Sequence, residues 1–380
     1  MKVTIAIDSL KGSLSSIEAG EAAAAGIRKV YPDAKIQVCP LADGGEGTAE
    51  ALVFGMGGSW QTLMATGPLG DKVECKYGMI AENNLAIIEM ASAAGITLIK
   101  PEERNPLLTT TYGVGEMIRD AILKGCRNFI IGIGGSATND GGIGMLQALG
   151  FEFLNKNGAQ VKYGAEGVSE LCVICEDHVM PELKECTFKV ACDVTNPLCG
   201  ESGCSAIYGP QKGADKAMIE KMDRWLGMYA KLTREAHGVD LSEYPGAGAA
   251  GGLGFAFLSF LNAKLESGIQ IVLNETGLEK HIEASELVIT GEGRLDGQTV
   301  MGKAPIGVAK LAKKHGKKVI AFSGAVTRDA VKCNEAGIDA FFPIVRGAVA
   351  LSDAMKPENA RQNMIDTAEQ VFHLIKTFQN

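Results

Sequence analysis

The apolar positions of this chain follow two rhythms. Short continuous runs at Val3–Ile7, Ile36–Cys39, Phe129–Ile133, Phe188–Cys192, Leu287–Thr290 and Lys318–Phe322 contain few polar residues. Runs of this length and composition predict strands covered on both faces, as in a parallel sheet. Helix-like segments separate several of them. Ser15–Val30 predicts an Ala-rich helix opened by Ser15-Ser16-Ile17-Glu18, a capping-box pattern in which Ser and Glu satisfy each other's backbone donors. Glu46–Phe54 predicts another helix. Strand and helix in alternation imply parallel strands joined by crossover helices.

Two regions break the rhythm. Residues 60–96 alternate short apolar runs with Gly, Asp and Asn, and 151–161 carries an Asn157-Gly158 turn signal; both predict hairpins. The expected fold class is therefore α/β with two domains. A Rossmann-like parallel-sheet domain, residues 1–60 plus 285–380, is interrupted by a mixed-sheet α/β domain, residues 61–284.

Composition narrows the function. A formal net charge of -8 disfavours a nucleic-acid partner, which would need a basic face. A signal-peptide pattern is missing from MKVTIAIDSLKG, and no apolar run reaches the roughly 18 residues of a membrane span. Residues 246–261 come closest, but five glycines make them a poor spanning helix. A cytoplasmic location follows as an expectation, with the ten cysteines as reduced thiols. The lone Cys172/Cys175 pair has no second pair to complete a zinc site. Glycine is the outlier, 48 of 380 residues, clustered beside the predicted strands.

Ligands of open parallel sheets bind at the carboxyl ends of strands. Five predicted strand ends carry an acid, most with glycines, and are expected at the same sheet edge: Asp8–Ser13, Ala42–Thr48, Gly134–Gly142, Asp193–Leu198 and Gly291–Gly297. Glycine loops let backbone N–H groups face an anion, while carboxylates suit magnesium or a hydroxyl to be deprotonated. Together they point to phosphoryl transfer with Mg²⁺. Gly297–Lys303 has the spacing of a P-loop, but Ala304 stands where that loop needs Ser or Thr. Gly132–Ala137 matches a dinucleotide fingerprint without the acid expected about 20 residues on. A nicotinamide oxidoreductase therefore remains an alternative, as does a non-catalytic acid-binding protein. None of the five histidines falls in these loops, which disfavours Ser–His and Cys–His nucleophiles. The loop cations are Lys11, Lys212, Arg294 and Lys303.

Eight segments in order along the chain, IDSLKGSLS, LADGGEGT, TGPLG, GIGGSATNDGG, ACDVTNPL, GPQKGA, GAGAAGG and TGEGRLDGQTVMGK, resemble the bacterial glycerate kinases of glucarate, galactarate and glyoxylate metabolism. Gly12 departs from an acid found there in many relatives. The resemblance implies a kinase using ATP and Mg²⁺ on D-glycerate, forming 2-phosphoglycerate, with the site in the cleft between two α/β domains. A 3-kinase, or a kinase of another small hydroxy acid, is the nearest alternative.

On that basis Asp193, Lys11, Asp43 and Glu292 are expected to be catalytic, with Asp193 orienting or deprotonating the acceptor hydroxyl. Asp8, Ser9, Arg294, Asn196 and Asp296 are expected to bind substrate, and Asp43 and Asp296 the metal. Gly134, Gly135, Ser136, Thr138, Lys212 and Lys303 are expected on the nucleotide phosphates. A monomer or homodimer is expected.

Overall fold

The computed structural model describes residues 1–378 with the exception of Asp43 and Glu46. Thirteen strands run along the described residues. The first six are β1 (Lys2–Ile7), β2 (Lys35–Val38), β3 (Ser59–Thr66), β4 (Lys72–Ile80), β5 (Leu85–Glu89) and β6 (Asn128–Gly132). Then come β7 (Glu152–Leu154), β8 (Val173–Cys175), β9 (Thr187–Ala191), β10 (Lys264–Glu266), β11 (Leu287–Leu295), β12 (Lys318–Val326) and β13 (Ala340–Pro343). The helices include α1 (Ser16–Val30), α2 (Ile143–Ala148), α3 (Ala249–Leu261), α4 (Ala304–Lys314) and α5 (Pro357–Thr377). Internal contacts gather the chain into two units. Unit 1 is Met1–Asp43, Glu50–Met56 and Ile269–Asn380; unit 2 is Gly44–Ala49 and Gly57–Gly268.

Unit 1 holds a five-stranded sheet in the order β13-β12-β11-β1-β2, every pair parallel. Counted within this sheet, the order is 2-1-3-4-5, a doubly wound arrangement whose direction of winding reverses between β1 and β11. In doubly wound sheets such a reversal is where ligands bind. β1 is covered on both faces: Ile5 and Ile7 join Ile289, Phe322, α1 and α5 in one core, and Thr4 and Ala6 are buried on the opposite face. α1 begins as its sequence requires, with Ser15 accepting from the Glu18 N–H while Glu18 accepts from the Ser15 N–H. It packs on α5 so closely that a Cβ on Gly26 would lie 2.3 Å from the Ile365 carbonyl oxygen.

Unit 2 holds a six-stranded mixed sheet, β10-β9-β6-β5-β4-β3. β3, β4 and β5 form the antiparallel part expected for residues 60–96. β5, β6, β9 and β10 are mutually parallel, so their carboxyl ends share one edge. The turn at Asn157-Gly158 forms, closed by the Asn155 N–H on the Ala159 carbonyl, with Gly158 at φ 75°. The ladder partner of β7 is nevertheless β8, in a separate two-stranded sheet.

Two expectations need correction. The five acid-bearing strand ends do not share one sheet edge: β1, β2 and β11 lie in one sheet, β6 and β9 in another. Gly291–Arg294 is also not a loop. β11 continues to Leu295, paired along its end with β12 as far as Val326, and buried Ser323 holds it by donating to the Glu292 carbonyl and accepting from the Leu295 N–H. Among the described residues no helix is long and apolar enough to cross a membrane.

Gly26→Ala is expected to push α1 and α5 apart and cost about 1–3 kcal/mol. A thermal melt checks this, and an unchanged midpoint would show that the two helices do not meet at Gly26.

Candidate active site

The edge of unit 1 gathers its chemistry at the β1–β11 reversal. After β1 the chain turns tightly, with the Leu10 N–H on the Leu14 carbonyl and Gly12 at φ 76°. Asp8 is buried, its carboxylate accepting from the Ser9 N–H at 2.7 Å, and its own N–H donates to the Gly291 carbonyl. The backbone of Leu10 and Lys11 runs beside Gly293, where a Cβ would stand 3.6 Å from the Lys11 nitrogen.

Glu292 lies on β11 and is 8% exposed. Burial pushes its carboxyl above the ordinary carboxylate range, and Asp296 adds to the rise, while a bond from Thr299 and the charges of Lys303 and Lys11 oppose it. Thr299 ties the two acids together. Its hydroxyl donates to Glu292 Oε1 at 2.6 Å and accepts from the Asp296 N–H at 3.1 Å. Asp296 Oδ1 in turn accepts from the N–H groups of Gln298 and Thr299. The Lys303 ammonium stands 3.8 Å from Glu292 Oε2 and 3.7 Å from Asp296 Oδ1, and Arg294 Nε stands 3.8 Å from Asp296 Oδ2. These separations exceed hydrogen-bond reach, so the cations neutralise the acids while keeping donors for a ligand. Gly302, at φ 107°, turns the chain so that Lys303 directly precedes α4, with Pro305 in its first turn.

The edge of unit 2 carries Glu89, Gly134, Gly135 and Asp193. Asp193 follows β9 and is exposed, its Oδ1 accepting from the Gly268 N–H at 3.3 Å. Gly44 and Gly45 lie across this edge. At Gly44, φ 92°, a Cβ would fall 3.2 Å from Asp193 Oδ2, and one at Gly134 would fall 3.2 Å from the Gly45 Cα. Asp43 lies outside the described residues, as does Glu46. Gly134 and Gly135 are exposed, whereas Ser136 is buried. The amide of Asn196 is engaged within its own segment, donating to the Ser202 carbonyl and accepting from the Tyr208 hydroxyl.

Deeper in unit 2 the Thr138–Gly142 segment is packed away from solvent. Asp140 accepts from the Thr111 N–H and hydroxyl and from the Gly142 N–H, so the start of α2 already faces a carboxylate of the protein itself. Behind the segment, residues 250–252 take left-handed conformations ahead of the main run of α3. Only glycine fits at 251, where a Cβ would meet the Thr138 carbonyl oxygen at 2.1 Å. Lys212 is 2% exposed, and its ammonium donates to the Thr138 carbonyl at 2.6 Å. Desolvation lowers its pKa to about 8, against upward pulls from Cys204 and Asp140. Thr138 and Lys212, both expected on the nucleotide phosphates, thus face the interior, where Lys212 holds the backbone of the glycine loop.

The sequence reading missed Thr299, which has no glycine-loop signature, and Glu89. Glu89 ends β5 and accepts from the Ala49 N–H at 2.8 Å. Its signal was present as an acid closing the apolar run Leu85–Ile88, inside a region read only as hairpins.

The fold and these strand-end groups define an α/β enzyme built round carboxylates, lysines and glycine turns. The sequence pattern of the glycerate kinase family matches residues 3–376. The chain is 48% identical to the glycerate 2-kinase of Escherichia coli (strain K12) over 356 residues, covering 94% of this chain and 93% of that protein. It is 45% identical to the glycerate kinase of Haemophilus influenzae over 375 residues, 99% of each chain. A solved structure presented as a candidate glycerate kinase 2 from Salmonella typhimurium LT2 superposes with a TM-score of 0.92 at 45% identity, over 100% of this chain and 99% of that one. The chain belongs to the glycerate kinase family.

The buried lysine yields a pH test. Unfolded lysine holds its proton up to its ordinary value of 10.5, whereas the folded site releases it near about 8. Between those values the unfolded state binds more protons, so raising the pH favours the folded state; below about 8 the full cost of the buried charge remains. Lys212→Met removes this dependence. The stability difference between wild type and variant is expected to move toward wild type from about pH 7.5 to about pH 10, by up to roughly 3 kcal/mol. Urea midpoints for both proteins across that range provide the measurement, and parallel profiles would refute the assignment.

Proposed function

We propose that this protein transfers the γ-phosphoryl group of ATP to the 2-hydroxyl of D-glycerate, giving 2-phospho-D-glycerate and ADP. The observation that carries the reading is the Glu292–Thr299–Asp296 constellation at the β1–β11 reversal, with Lys303 within 3.8 Å of both acids. Family membership supports a kinase, and the name of the Escherichia coli relative supports the 2-position.

Phosphoryl transfer asks the protein to position two reactants and to neutralise charge gathering on the transferred group. At the unit 1 edge, Lys303 and Lys11 supply the cations for phosphate oxygens. Arg294, Asp8, Ser9 and Asp296 suit the carboxylate and hydroxyls of the acceptor acid. At the unit 2 edge, the exposed backbone of Gly134 and Gly135, with Ser136 beside them, is the proposed phosphate cradle. Asp193, its carboxylate oriented by the Gly268 N–H, is the proposed acid that orients the acceptor hydroxyl and takes its proton.

Among the described residues there is no group of three or more His, Cys, Asp or Glu side chains arranged for a metal. The donors present nevertheless fit magnesium carried by a nucleotide, which needs only one or two carboxylates beside phosphates and water. Asp296 and Glu292 are that pair, and Asp43 is a further proposed ligand. Bound there, the ion would draw charge from the phosphate oxygens.

In a coupled assay, ADP release is expected only with D-glycerate and Mg²⁺ together, and phosphorus NMR is expected to identify the 2-phosphate. Asp193→Asn is expected to lower kcat about 100-fold or more. A 3-phosphate product would overturn the assignment of the hydroxyl, and a kcat within a few-fold of wild type would remove Asp193 from the mechanism.

A further inference from the structure

Beside Asp296, where β11 and β12 end, unit 1 holds a hollow of about 440 Å³. Two cations, Arg294 and Lys332, and two carboxylates, Asp296 and Asp329, line it; the hydroxyl of Thr327 and the amide of Gln298 complete its polar wall. Gly297 closes it, and no described residue adds an apolar side chain. A purine base seeks apolar walls, and here it would desolvate charged groups without such contacts in return. A small polyhydroxy acid matches the lining, its carboxylate meeting cations and its hydroxyls meeting carboxylates.

The wall is also fixed in place. Asp329 accepts from the Thr327 hydroxyl and from the Gly297 N–H, and these bonds hold its carboxyl below the ordinary range. The approach is so close that a Cβ on Gly297 would lie 2.3 Å from Asp329 Oδ2. The turn that presents Asp296 is thereby pinned from the β12 side. Lys332 follows Asp329 by one helical turn, is exposed, and its charge also helps hold the Asp329 carboxyl low.

We propose that this hollow seats the acceptor hydroxy acid, with Lys332 joining Arg294 on its carboxylate and Asp329 acting as a positioning residue for the Gly297 turn. The assignment rests on the proposed glycerate kinase activity and extends it to residues outside the glycine loops.

The test is Lys332→Met in the full chain. Lys332 is exposed, so the fold is expected to persist. The KM for D-glycerate is expected to rise about 10- to 100-fold while the KM for ATP stays within about twofold, and Lys332→Arg is expected to recover part of the loss. Calorimetric titration of D-glycerate into both proteins without nucleotide is expected to reproduce the difference. Wild-type turnover with an unchanged glycerate KM in Lys332→Met would overturn the hollow and leave the activity standing. A rise in the KM for ATP instead would assign the hollow to nucleotide phosphate and overturn its assignment to the acid. Wild-type protein that neither turns over nor binds D-glycerate would overturn both.

Discussion

Keeping a carboxyl group on a strand covered on both faces is the constraint round which the edge of unit 1 is organised. Glu292 sits on β11 where water cannot solvate it freely, and an unpaired charge there would cost several kcal/mol. The chain answers with one hydroxyl, that of Thr299, and with cations held just beyond bonding distance. The Asp296 turn exists to bring Thr299 back over the strand. Lys303 then enters from the start of α4. Removing any member would leave the others with charges they are not built to carry alone.

Unit 2 solves a related problem differently. Its glycine loop is held from within by the buried Asp140 carboxylate on one side and the Lys212 ammonium on the other. Such groups add little net stability, because desolvation consumes most of what their attraction returns. What they provide is a defined backbone path. The left-handed residues before α3 let another segment approach that path at a distance no side chain would permit.

Much of this was legible in the sequence because it rests on short-range rules. The continuous apolar runs gave buried strands, the Ser15–Glu18 pair gave the start of α1, and glycines beside acids marked several of the turns that follow strands. Three things were not legible. The end of β11 read as a loop because Gly291 and Gly293 resemble turn residues, while the ladder with β12 that keeps it extended lies some thirty residues away in the chain. Lys212 read as a ligand group because glycines flank it in a tight loop, and only tertiary packing buries it. Asp329 and Lys332 carried no glycine signature, and only the parallel pairing of β11 with β12 brings them beside Asp296.

The order of strands in unit 1 also bears on how the chain reaches its fold. β1 is synthesised well before its central neighbour β11, with which it pairs from Val3 and Leu287 onward. Until residue 295 has emerged, β1 is exposed along the edge that β11 will cover. Unit 2, almost all of it continuous between residues 57 and 268, can complete its own sheet during that wait. Once folded, it brings residues 56 and 269 within the span of a compact body and removes most of the loop-closure entropy that joining β1 to β11 would otherwise cost. In sequence, then, the compactness of the insertion bears on the pairing of two strands that it does not itself contain.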